Sequence, residues 1–219
     1  DVERPNGGVF SWEDEEKNNL SLRYDLTGPL ARVFSQFKNK LPYPYRRYSI
    51  GPVWRNEKPG PGRYRQFYQC DADTVGTSSI TADAELSLII SEIFNELNFK
   101  NNEFLVKINN RKILNGILEI IDKNIFKPDN KKNLIIMRAI DKFERLGLKG
   151  VKLLLTKGRE DESGDFTKGA DLTEMQADTI VHFLEAKDNS NEKTFDNLKY
   201  LVKSSEIGLE GLKELEEIF

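Results

Sequence analysis

Between Asn56 and Arg63 the chain reads Glu57-Lys58-Pro59-Gly60-Pro61-Gly62, and four of these six residues are proline or glycine. Proline lacks an amide donor and glycine is costly in a helix, so this segment interrupts any regular element and must form a loop. The flanking stretches, residues 46–56 and 63–75, carry the aromatic side chains and alternation of strands. Two strands joined by such a loop close as an antiparallel hairpin, which would bring Arg55 near Arg63 if it closes symmetrically. Along the second strand Arg63, Arg65, Phe67, Gln69, Asp71 and Asp73 project from one side, and Tyr64, Tyr68, Cys70 and Ala72 from the other. Trp54 and Tyr48 share the second side and are expected in a core, with Cys70 there as a buried small hydrophobe.

Upstream of the hairpin, residues 1–29 break at Pro5, Gly7, Gly8 and the charged run 13–17, which predicts two short strands around a turn. Leu30, Val33, Phe34 and Phe37 have helical spacing, closed by Pro42 and Pro44. Downstream, Ala84, Leu88, Ile89, Ile93 and Leu97 predict an amphipathic helix, residues 104–108 alternate as a strand, and residues 113–121 form a helix that Pro128 ends at the latest. Only helices are expected beyond: 134–146 stopped by Gly147, 151–155, and 173–186, whose Thr173 and Gln176 have capping-box spacing. A further amphipathic helix runs into Phe219. Residues 158–169 are glycine-rich but carry Asp161, Glu162 and Asp165, so a mobile surface loop is expected there rather than a phosphate cradle. Strands first and helices afterwards make the fold class α+β.

At 219 residues the chain accommodates one large domain or two small ones. With one cysteine and one histidine, His182, no zinc site can be assembled from Cys and His. His182 lies beside Val181 and Phe183 and is expected to pack rather than catalyse. A net charge of -3 gives no global attraction to nucleic acid, so RNA contact would need local basic patches; Lys149, Lys152, Lys157 and Lys168 are scattered and interleaved with carboxylates. No apolar run approaches the roughly 18 residues of a membrane span, and no export signal opens the chain, so a cytoplasmic location is expected.

Alternation alone favours an ordinary solvated sheet over a ligand face. The string decides. Val53-Trp54-Arg55-Asn56-Glu57, the Pro/Gly loop and Arg63-Tyr64-Arg65-Gln66-Phe67-Tyr68-Gln69-Cys70-Asp71 resemble the second signature motif of class II aminoacyl-tRNA synthetases, in its histidyl-tRNA synthetase form. Leu22-Arg23-Tyr24-Asp25-Leu26-Thr27 resembles that family's loop for the substrate amino group, and Ala82-Asp83-Ala84-Glu85 and Lys107-Ile108-Asn109-Asn110-Arg111 also fit. The similarity is firm over residues 20–121 and looser afterwards.

The resemblance implies an activity, a set of partners and a role for each matching residue. Arg55 would bridge the ATP α-phosphate and the histidine carboxylate as the catalytic residue, Glu57 would meet the adenosine, Phe67 would stack on adenine, and Arg63 would reach the terminal phosphates. Asp25, Thr27 and Gln69 would hold the α-ammonium of L-histidine, and Asp73 would accept the imidazole N–H. Asp71 receives no role, and Arg65 is open between an ATP contact and an ion pair within the sheet. Mg2+ would arrive with ATP, with no protein-bound metal, and the product would be histidyl-tRNA(His) made by a homodimer. The fold implied is part of an antiparallel class II catalytic domain over residues 1–123, an all-α insertion over 124–205, and a return segment over 206–219. The family's first and third motifs and its anticodon-binding domain have no counterpart here, so the chain reads as a fragment expected to be inactive alone. Two relatives share the fold without the chemistry: the synthetase-like regulatory subunit of ATP phosphoribosyltransferase and a tRNA-sensing module. Retention of Asp25, Thr27, Arg55, Gln69 and Asp73 together favours the enzyme.

Overall fold

The computed structural model describes residues 8–100, 102–127, 130–161 and 164–219. The breaks expected at Pro5, Gly7 and Pro128, and Glu162 of the acidic segment, lie outside the described residues. The chain divides into two compact units, Asp1–Leu86 and Ser87–Phe219.

The first unit opens with β1 (Ser11–Glu13) and β2 (Asn19–Ser21), paired antiparallel. Asp14 closes their turn by accepting from the amides of Glu16 and Asn18. Helix α1 (Thr27–Phe37) follows, with Pro29 in its first turn, where a missing amide costs nothing. The hairpin itself is β3 (Tyr45–Trp54) and β4 (Gln66–Val75), in continuous register from Tyr45 opposite Val75 to Trp54 opposite Gln66. Phe34 of α1 meets Tyr43 edge-on and Tyr45 at 6.5 Å, which seats the helix at the start of β3. Leu26, Leu30 and Val53 are buried. Arg46 of β3 forms an ion pair with Glu85, near the start of α2 (Thr81–Glu96).

Only one face of the hairpin is covered. Gly51 and Val53 are buried, whereas Tyr48 is 82% exposed, Ile50 and Tyr68 are exposed, and so is Cys70. The core positions expected for Cys70 and Tyr48 are therefore corrected: alternation sorts residues onto two faces but does not say which face is covered. Trp54 is half-buried and donates its indole N–H to Gln66 at 3.0 Å.

The second unit is built around α3 (Arg111–Ile121), capped by the Asn110 side chain, and α8 (Glu206–Ile218), capped by Ser205. Ile113, Ile117 and Leu118 of α3 are fully buried against an apolar core that includes Leu212 and Leu215. Glycines allow this approach: a Cβ on Gly116 would lie 2.6 Å from the Cα of Gly208. The buried Ser205 hydroxyl donates to Glu119 at 2.6 Å. Lys112 joins the same pair of helices, 2.7 Å from Glu210 and 2.5 Å from Glu214.

Between them lie α4 (Lys131–Ile140), α5 (Phe143–Leu155), α6 (Glu174–Leu184) and α7 (Asn191–Val202). The capping box of Thr173 and Gln176 forms with both of its bonds. Gly147 does interrupt the helix, at φ 63°, but a first break falls earlier, between α4 and α5. Helix α7 escaped the sequence reading although Phe195, Leu198 and Val202 keep helical spacing behind the Ser190 cap. The acidic loop expected over 158–169 is instead closed by an antiparallel hairpin, β5 (Gly158–Glu160) with β6 (Phe166–Lys168), so the expectation of helices alone over 124–205 is corrected as well. Residues 104–108 are not in a strand: alternation supplies two faces, but a strand also needs a ladder partner, and none pairs with them among the described residues. His182 stands exposed on α6, so its expected packing role is also corrected. Among the described residues no helix is long and apolar enough to cross a membrane.

Two measurements test this packing. Alanine is favoured over glycine in a helix by about 1 kcal/mol, but a Cβ on Gly116 meets backbone, which cannot rotate away. Gly116→Ala is therefore expected to destabilise the chain by about 1–3 kcal/mol in urea unfolding, the scale of overpacking. Hydrogen bonds from Lys112 and then Asn110 hold the Glu214 carboxyl below its ordinary value of 4.5. That stabilisation is present above pH 4.5 and is lost as pH falls through the lowered folded value. Lys112→Met should lower the melting temperature at neutral pH and shrink its decline below pH 4.5, as read by thermal scans at both conditions.

Candidate active site

Each strand of the hairpin places alternate side chains toward the segment 23–30, which runs over the covered face. Arg47, Ser49, Gly51 and Val53 of β3 lie opposite Asp73, Asp71, Gln69 and Phe67 of β4. Beyond the ladder the amide of Arg55 donates to the carbonyl of Arg65 at 2.9 Å, so Arg55 faces Arg65 and not Arg63. Arg63 instead closes the loop tip through reciprocal backbone bonds with Gly60.

At the loop end the Arg55 guanidinium sits between two rings, 4.8 Å from the centre of Tyr24 and 5.2 Å from that of Phe67. Its Nε also points to the carbonyl of Tyr24 at 3.4 Å. Glu57 collects the other two arginines: its carboxylate is 3.7 Å from Arg63, and its carbonyl accepts from Arg65 Nε at 3.3 Å. Arg63 is three-quarters exposed, so its pair with Glu57 is a loose one that a phosphate can displace. A planar guanidinium flanked by aromatic faces, with two further arginines on the adjoining loop, suits a purine nucleotide with its phosphates.

At the far end the carboxylates gather. Asp25 accepts from the amide of Gly28 at 2.8 Å, which fixes the turn entering α1. Thr27 points its hydroxyl to Asp71 at 3.5 Å, so Asp71, left without a role by sequence, shares the Thr27 corner. Asp73 pairs with Arg47 at 3.0 Å, and the same nitrogen of Arg47 donates to the Leu26 carbonyl at 2.9 Å. Gln69 lies opposite Gly51, which has no side chain to fill the space above it. Arg23 reaches over that glycine: a Cβ there would stand 3.6 Å from its guanidinium.

The structure thus brings Arg55 and Phe67 together, and Glu57 with Arg63, at the loop end; farther along, Gln69, Asp71 and Asp73 share one strand face, with Thr27 meeting Asp71, while Asp25 bonds to its own turn at Gly28. Sequence reasoning missed Tyr24 as a ring against Arg55 and missed Arg47 altogether. A signal for Arg47 existed: it and Asp73 each lie thirteen residues from Gly60, so counting outward from the loop pairs them. Among the described residues no three His, Cys, Asp or Glu side chains are grouped to hold a metal ion.

The family described as Histidyl-tRNA synthetase has a model that matches residues 3–147, about two thirds of the chain and all of this site. The chain belongs to the histidyl-tRNA synthetase family. Curated relatives named histidine–tRNA ligase agree: those of Cereibacter sphaeroides and Dinoroseobacter shibae are each 52% identical across the whole of this chain, covering 45% and 44% of their own lengths. A solved histidyl-tRNA synthetase from Nostoc sp. PCC 7120 superposes with a TM-score of 0.75 at 29% identity, over 97% of this chain and 44% of that one. A Bacillus halodurans structure titled ATP phosphoribosyltransferase regulatory subunit/histidyl-tRNA synthetase has a TM-score of 0.71 at 19% identity, a likeness of fold alone. The α+β class expected from sequence is that of the synthetase fold, and the chain spans a little under half the length of the relatives it matches.

Proposed function

We propose that this chain forms the substrate cradle of a histidine–tRNA ligase, with ATP at the Arg55, Phe67, Glu57 and Arg63 end of the hairpin and histidine at the Asp25, Thr27, Gln69 and Asp73 end. The observation that carries this reading is the Arg55 guanidinium, 4.8 Å from the Tyr24 ring and 5.2 Å from the Phe67 ring at the loop end of the hairpin. A carboxylate oxygen of histidine attacks the α-phosphorus of ATP, and the bond to the β-phosphate oxygen breaks. Histidyl-adenylate forms and pyrophosphate leaves. The terminal ribose hydroxyl of tRNA(His) then attacks the acyl carbon and releases AMP.

Negative charge concentrates on the α-phosphoryl oxygens in the first step, and Arg55 supplies two parallel donors to it while holding the histidine carboxylate in line. Phe67 offers its face to adenine, and Glu57 and Arg63 separate to take adenosine and the terminal phosphates. Asp25, Thr27 and Gln69 give acceptors to the α-ammonium, and Asp73 accepts the ring N–H. Mg2+ enters with the ATP phosphates as part of the substrate. The reading extends to a homodimeric full-length protein in the cytoplasm and to three regions, residues 1–123 as partial catalytic domain, 124–205 as insertion and 206–219 as return segment. Relatives at about half identity are named ligases, which supports this reading over a regulatory subunit.

In the full-length protein, Arg55→Ala is expected to lower histidine-dependent ATP–pyrophosphate exchange by a factor on the order of 100 or more, the worth of a preorganised charged donor. Circular dichroism should be unchanged. Near-normal exchange in the folded variant would refute the assignment.

A further inference from the structure

Three polar atoms on the covered face of the hairpin are buried with no hydrogen-bond partner among the described residues: Gln69 Oε1, Asp73 Oδ2 and Arg47 Nε. Buried polar atoms are ordinarily paired, so three on one face need an explanation. Two belong to residues assigned above to histidine. The third belongs to Arg47, whose side chain is 16% exposed and which stands directly across the ladder from Asp73. Its Nη2 lies 3.0 Å from Asp73 Oδ2, while the hydrogen bond from that nitrogen goes to the Leu26 carbonyl at 2.9 Å. One guanidinium therefore ties the carboxylate of β4 to the loop that carries Asp25 and Thr27, and Asp73 keeps acceptor capacity unused.

We propose that Arg47 is the positioning residue of the histidine subsite: it orients Asp73 and balances its charge, so that the pair accepts the neutral imidazole of the substrate in preference to the imidazolium. This deepens the ligase reading and rests on it. A lone carboxylate at this place would attract a charged ring, whereas a carboxylate already matched by a guanidinium takes an N–H without selecting a cation. Among the described residues the other charged groups around this face are Arg55, Glu57, Arg63 and Arg65 at the loop end, Asp71 on β4, and Arg23 and Asp25 on the overlying segment. Helix α1 adds only Arg32, which is exposed, and Glu85 of α2 meets Arg46 on the opposite face. Among the described residues Arg47 is the cation that forms an ion pair with Asp73.

The test is the pH dependence of the KM for histidine in ATP–pyrophosphate exchange by the full-length protein. With a ring pKa of about 6.5, the neutral fraction of histidine falls about fourfold from pH 8 to pH 6, and KM should rise by that factor. Arg47→Met is expected to raise the KM for histidine about tenfold or more at pH 8, to change the KM for ATP by less than about threefold, and to abolish the rise toward acid. Arg47→Lys keeps the charge but not the two-sided fork, so it should restore the wild-type pH profile with an intermediate KM. An Arg47→Met protein with unchanged KM for histidine and an unchanged profile overturns the proposal. So does an equal rise in both KM values, which a purely structural role predicts. Should the Met variant fail to fold, Arg47→Lys alone decides: a raised KM for histidine on the wild-type profile supports the role, and an unaltered KM overturns it. Absence of histidine-dependent exchange in the unsubstituted protein overturns the ligase reading itself, a distinct outcome.

Discussion

The ladder between β3 and β4 is the constraint on which the rest of the candidate site depends. Its ten pairs determine which side chains share the covered face and which are paired across it. Because the strand period is two, a slip of one residue would carry Arg47, Asp73, Gln69 and Phe67 to the exposed side together. The Pro/Gly loop, closed by Gly60 and Arg63, sets the starting point of that register. The segment 23–30 then roofs one face, held by the Arg47 bond to the Leu26 carbonyl, the Trp54 bond to Arg23 and burial of the Leu26 side chain beside Gly51.

The two ends of the face differ in what holds their charges. At the loop end arginines outnumber carboxylates and are restrained by aromatic rings, by long bonds to the Tyr24 and Glu57 carbonyls and by one loose ion pair, so incoming phosphate oxygens displace little. At the other end Asp25 accepts from the Gly28 amide at 2.8 Å and Asp73 pairs with Arg47 at 3.0 Å, while Thr27 stands 3.5 Å from Asp71. Preorganised acceptors suit recognition of a small cationic amine and a ring N–H, for which displaced geometry costs specificity. The second unit obtains its rigidity by a different route, from helix packing through Gly116 and Gly208 and from the Lys112 bridge to two glutamates.

Much of this was legible from residues. The loop, the hairpin, α1, α2, α3 and the capping box of α6 follow from local chemistry, since proline, glycine and capping side chains act on their own backbone. The misreadings share a cause. Alternation puts Tyr48 and Cys70 together on one side of the hairpin and apolar neighbours flank His182 in sequence, yet exposure depends on what lies over a face. Residues 104–108 alternate like a strand, and alternation cannot supply the partner that a ladder needs. The segment 158–169 was read from its composition, while the close approach of Gly158 and Gly169 that closes its hairpin is a long-range packing event.

The sequence by itself determined the hairpin, its two alternating faces and, through the motif string around Arg55, the family to which the chain belongs. Those are local properties, written in residue type and spacing. Only the tertiary structure decided which face is covered, that Arg55 lies between Tyr24 and Phe67, and that Arg47 rather than any residue of the motif string holds Asp73. Each of these is a meeting of segments distant along the chain, and such meetings are settled by burial and register, which no single segment encodes.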